Sequence, residues 1–140
     1  PLADWLESKR RFLALPDDVL VLPAHNTPFH GLHARLRYLI AHHEDHLAAL
    51  EEACVTPSVA LELLPVIFRR KLDVEQTGLA LGECIAHLNF LLQSGRVRRE
   101  LDGDGLYRYI TVDPSVAARA GKIAHQRDDD PVMVYEGEPI

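Results

Sequence analysis

Apolar positions between residues 3 and 15, in ADWLESKRRFLAL, fall at Trp5, Leu6, Phe12, Leu13 and Leu15. They trace roughly one face of a helix, with Lys9, Arg10 and Arg11 outside it. Pro16-Asp17-Asp18 interrupts the pattern as a turn, since proline fixes φ and aspartate bonds its own backbone. Val19 to Leu22 follows as four apolar residues in a row bounded by turn signals, which predicts a strand buried on both faces. Pro23 and Pro28 stiffen the next loop. Helical spacing then resumes over a long segment from about Leu32 to Cys54, with Leu32, Leu36, Leu39, Ile40, His43, Leu47, Leu50 and Cys54 as its inner stripe.

Thr56-Pro57 reads as a cap followed by proline at the first helical position, starting a short helix to about Leu64. Pro65 starts a second, ending near Leu72, with Arg69, Arg70 and Lys71 where cations suit the helix dipole. A third is expected from about Leu79 to Ser94 on the apolar positions Leu81, Ile85, Leu88, Leu91 and Leu92, with Gly95 as its left-handed stop. RVRREL and LYRYITV flank DGDG at 102–105, a hairpin signal. A short helix is expected at 114–125 and a loose or docked tail to residue 140.

The expected fold class is therefore mainly α with a small β-hairpin. Three helices and a hairpin over 56–112 give the order of a winged helix, with 32–55 as a connecting helix and 113–140 as a helix and tail. Residues 1–31 stand apart from it. The expected strand Val19–Leu22 has no obvious partner, and an unpaired edge is a liability. It is expected to pair with the wing, with the tail, or with a sheet built by residues outside this chain.

Composition narrows the function classes. Of the 140 residues 47% are apolar, enough for a packed core without staples, and the net charge of −6 argues against wholesale wrapping of nucleic acid or anionic membrane. Cys54 and Cys84 lie far apart in apolar helical contexts and read as reduced core residues of a cytoplasmic protein. No apolar run approaches the roughly 20 residues that cross a bilayer, and no secretory signal is visible. With Pro1 first and Met133 the only methionine, the chain fits either loss of an initiator methionine or a piece of a longer protein. Neither GxSxG nor a phosphate-binding or dinucleotide fingerprint occurs.

Candidate chemistry centres on histidine. His25 sits in the stiffened loop, and Asn26 and Thr27 beside it either bind substrate or close the loop through their own backbone. His30 and His33 are spaced i, i+3 at the start of the long helix, and His33 can reach back toward His25 or make ordinary first-turn bonds. Ala41-His42-His43-Glu44-Asp45-His46 offers imidazoles and carboxylates, with His42 and His46 one turn apart as in helical zinc sites. Its structural alternative has His43 half-buried on the apolar stripe and His42, Asp45 and His46 solvated or capped.

A winged helix raises nucleic-acid binding. However, 76–95, the stretch that contains the third helix, has no Lys or Arg, and 56–112 balances seven basic residues (Arg69, Arg70, Lys71, Arg96, Arg98, Arg99, Arg108) against seven acidic ones. Arg96, Arg98, Arg99 and Arg108 remain as a small basic strip for nucleic acid, or as partners in ion pairs.

The sequence LPDDVLVLPAHNTPF, then GLHARLRYLIAHHEDHL, then a winged-helix pattern with AHLNFLLQSGRVRRE, resembles the C-terminal part of metallo-β-lactamase-fold hydrolases. The subgroup it suggests carries an appended winged helix, as in β-lactamase-like endoribonucleases and hydroxyacylglutathione-hydrolase-like proteins. The resemblance runs to about Ile110. It implies that residues 1–31 end an αββα metallo-β-lactamase domain and that His25 is a metal ligand, since the family's usual LPGHG loop places its last ligand there. Ala24 and Asn26 stand where that pattern has glycines. The family's HxHxDH motif, which supplies most of the zinc site and the water-activating aspartate, is absent from these 140 residues. No catalytic residue is therefore assigned. The resemblance implies a parent hydrolase using one or two zinc ions, a chain inactive alone, and the upstream metallo-β-lactamase domain as partner. A homodimer through the orphan strand and a binding module without chemistry are the alternatives.

Overall fold

A computed structural model describes residues 1–116, so the helix expected at 114–125 falls almost entirely outside them, and the tail wholly so. Helix α1 spans Leu2–Phe12 and buries Leu6. Helix α2 spans Leu32–Ala53 and buries Leu32, Leu36, Leu47 and Leu50, four members of the expected stripe. It starts at Gly31, whose φ of 93° is one a side chain rarely adopts.

Beyond α2 the expected order changes. Ser58–Val59 is not the start of a helix but a short strand, β1. It pairs antiparallel with the later hairpin, Ser58 opposite Tyr109 and Val59 opposite Arg108. Local proline signals gave way to a tertiary demand, because the outer edge of the hairpin offers backbone partners and β-branched Val59 suits a pleated surface. Helix α3 is only Leu64–Ile67 and ends where Phe68 turns extended, well short of Leu72.

Helix α4 spans Val74–Gln93, starting five residues before the expected Leu79. Asp73 explains the early start. Its carboxylate accepts from the Gln76 amide at 2.8 Å, and the Gln76 side-chain oxygen accepts from the Asp73 amide at 3.4 Å, a reciprocal capping box. Gly95 closes the helix with φ 69°, as its position implied. The inward face of α4 is Ala80, Cys84, His87, Leu88 and Leu91, while Ile85, expected inside, is 37% exposed.

Strands β2 (Val97–Leu101) and β3 (Tyr107–Thr111) form the expected hairpin, and the sheet order is β1-β3-β2. The described fold is therefore mostly helical with a three-stranded antiparallel sheet. One core joins Leu6, Leu47, Leu50, Cys54, Leu63, Leu64, Ile67, Cys84, Leu88, Leu91, Val97 and Tyr109. The sheet is tied to the end of α2: the Thr111 amide donates to the Cys54 carbonyl at 2.8 Å, and the Thr111 hydroxyl donates to the Glu51 carbonyl.

Val19–Leu22 is a further correction. Among the described residues it makes only a single antiparallel bridge, Val21 to Phe29, with N–H···O distances of 2.8 and 3.1 Å. Leu22 is 74% exposed and Leu20 48%, so the segment is not buried on both faces. It joins neither wing strand, and no described sheet lies beside it to cover it.

Candidate functional site

The Val21–Phe29 bridge closes a loop that carries His25, Asn26 and Thr27, all exposed. Asn26 has φ 69°, the left-handed geometry a glycine adopts freely and asparagine tolerates better than most residues. The loop thus keeps a glycine-like turn at the residue after His25. His30 and His33 are engaged elsewhere. His30 donates from Nδ1 to the Asp18 carbonyl at 2.9 Å, and His33 donates from Nε2 to the Leu15 carbonyl at 2.8 Å. The Asp17 carboxylate accepts from the His33 amide at 2.6 Å and lies 3.8 Å from its Nδ1, so both ring nitrogens of His33 face the turn after α1. Among the described residues one donor is identified at the loop, His25, too few to hold a metal ion there.

A different group of ligating side chains converges between α2 and α4. His43 of α2 and Glu83 and His87 of α4 each place one ligand atom within 4.8 Å of the other two. His87 is 1% exposed. Its Nδ1 donates to the Glu83 carbonyl one turn back at 2.8 Å, which leaves Nε2 with a free lone pair. His43 Nδ1 lies 3.0 Å from that Nε2 and donates to it. Trp5 of α1 packs edge-on against His43, ring centroids 4.7 Å apart, and closes the cluster from a third element.

His46 lies one turn along α2, its ring 5.5 Å from that of His87. Its Nδ1 is buried without a hydrogen-bond partner among the described residues, so it is neither solvated nor capped as the helical pattern suggested. Burial, then the nearby His42, His87 and His43, push its pKa down to about 4. Burial likewise lowers that of His43, with His87 and His42 adding to the effect and Glu83 opposing it. Both shifts favour the neutral imidazole, the form that ligates metals. His42 is exposed and stacks on Tyr38. Sequence reading found His43 but not Glu83 or His87. The i, i+4 spacing of Glu83 and His87, with a histidine on an apolar face, was the available signal.

The basic strip is largely neutralised. Arg96 donates to Glu51 from Nε at 3.0 Å, and Arg98 pairs with Glu100. Arg108 donates to Asp102 at 2.9 Å and lies 3.7 Å from Glu62, while Arg99 sits over the Tyr107 ring at 4.3 Å. No described helix is long and apolar enough to cross a membrane.

Residues 47–112, from the second half of α2 through β3, match the family described as metallo-beta-lactamase-like, C-terminal domain. Two solved structures extend the likeness to about four-fifths of the chain. A beta-lactamase domain protein from Burkholderia ambifaria is 43% identical, with a TM-score of 0.78 over 80% of this chain and 34% of that one. A metallo-beta-lactamase family protein from Thermus thermophilus is 32% identical, with a TM-score of 0.64 over 79% of this chain and 33% of that one. The chain thus spans about a third of the length of either relative. No curated protein matches it.

Proposed function

We propose that the chain is the C-terminal region of a zinc-dependent metallo-β-lactamase-fold hydrolase and that its partner is the catalytic domain of a longer polypeptide. The observation that carries this reading is the exposed, glycine-like His25 loop, leading within a few residues into a helix whose C-terminal end begins the match to the family's C-terminal domain. Proteins of this family generally bind zinc. His25 would give one imidazole to a centre whose other donors lie outside these residues, so the chain alone would not hydrolyse substrate. Asn26 and Thr27, exposed beside it, would meet substrate.

The order α2, β1, α3, α4, β2, β3 supports a winged helix in which α2, not a short helix near Pro57, is the first helix. Its role would be to shape the cleft or an interface. The ion pairs of Arg96, Arg98 and Arg108 favour this over nucleic-acid binding. Two free buried cysteines suit the cytoplasm.

The test uses a longer polypeptide that restores the region encoded upstream of Pro1. Its zinc content and hydrolysis of ester, thioester and phosphodiester probes should both fall at least tenfold on His25→Ala. Zinc content and hydrolysis unchanged by His25→Ala would overturn the assignment.

A further inference from the structure

The cluster between α2 and α4 has no part in the His25 reading and does not rest on it. Its simplest description is a hydrogen bond between two neutral imidazoles, which accounts for the 3.0 Å separation of His43 Nδ1 and His87 Nε2. That bond does not account for the rest. A carboxylate from Glu83 reaches the same point, and a third imidazole, His46, stands close by with a buried nitrogen lacking a partner among the described residues. Leaving a buried imidazole nitrogen without a partner is unfavourable.

We propose that His43, Glu83 and His87 form a metal site of their own, which takes a zinc-class divalent cation and pins α2 to α4. Two imidazoles and a carboxylate are the donor set that zinc and its neighbours favour over magnesium or calcium. Zinc–nitrogen bonds of about 2.0–2.1 Å at a tetrahedral angle set two nitrogens roughly 3.3 Å apart. The His43–His87 separation is within a few tenths of an ångström of that, so binding needs no rearrangement of either helix. His87 is already oriented, because its Nδ1–H is fixed on the Glu83 carbonyl and its Nε2 lone pair faces the site. On binding, His43 takes the tautomer protonated at Nε2, and its Nδ1 turns from donor to ligand. Three protein ligands leave a fourth position for water. The ligands come from facing helices of a packed core, so the ion acts as a clasp on the fold.

The test is titration of the metal-stripped chain with Co²⁺, whose visible d–d bands report nitrogen and oxygen ligands, followed by displacement with Zn²⁺. One equivalent per chain is expected, with a rise in melting temperature of several degrees at saturating Zn²⁺. His25→Ala should leave the bands unchanged. Glu83→Gln, at a half-buried position where the fold tolerates it, should weaken affinity at least tenfold with the far-UV circular dichroism unaltered. His43→Gln should abolish the bands. Absence of a stoichiometric band, or a band that survives both Glu83→Gln and His43→Gln, overturns the proposal. A band lost on His25→Ala does so too, by placing the ion at the loop.

Discussion

Arg96 was a candidate for nucleic-acid contact, and the structure gives it a different job that can be measured. Its guanidinium makes two bonds to Glu51 Oε2, from Nε at 3.0 Å and from a terminal nitrogen at 2.5 Å. The Glu51 side chain is 12% exposed and that of Arg96 36%. Glu51 lies in the last turn of α2, where the helix dipole already disfavours a carboxylate. Coulomb attraction at this range is about 4 kcal/mol at an effective dielectric of 20, and desolvation of Glu51 and ordering of Arg96 offset most of it. Exposed pairs measure about 0.2–1 kcal/mol, and breaking a buried pair costs about 3–5. This half-buried pair falls between them, so Arg96→Met should cost about 2 kcal/mol, much of it from stranding Glu51. Glu51→Gln should cost about 1 kcal/mol, and the double mutant little more than Arg96→Met, a coupling of about 1 kcal/mol. Urea unfolding followed by circular dichroism at pH 7, in low and high salt, measures the cycle. Additive single mutants, with coupling below about 0.3 kcal/mol, would refute the reasoning and return Arg96 to the pool of free surface cations.

Two other outcomes follow from the core. Cys54 and Cys84 are fully buried, and burial pushes their thiols up to about 11 and about 12, so neither should react with a disulfide reagent at pH 8 until urea unfolds the chain. Since the unfolded thiols ionise near 9 and the folded ones do not, their contribution is intact below pH 9 and lost as pH rises toward 11–12, where the urea midpoint should drop. Leu50→Ala, at a position with no exposure, should lower stability by about 2–5 kcal/mol in the same unfolding assay.

Much of the helical architecture could be read from apolar spacing, because α2 and α4 each bury a row of side chains that recurs with the helix period, whereas α1 buries only Leu6 and leaves Phe12 exposed. The hairpin was legible for the same reason, DGDG being flanked by strand-forming residues. What failed was set at longer range. Ser58 and Val59 become a strand only because Tyr109 and Arg108, half a domain away in sequence, present an open edge. Asp73 and Gln76 spelled out an N-terminus at Val74, and weighing only apolar positions hid it. For the candidate site the sequence singled out His25 and placed His43 on the apolar stripe of α2. It did not show that His87 would face His43, because the crossing of α2 and α4 is a property of packing rather than of either helix's pattern.

Helix α2 has the His25 loop at one end and Thr111 of the sheet hydrogen-bonded at the other. At 22 residues it is a rod of about 33 Å. A rotation of about 5° at its start would carry its far end through roughly 3 Å, more than the slack in any bond that holds β3 there. Whatever seats or tilts the first turn of this rod is therefore felt by the strands, and a change at the strands is returned to the loop.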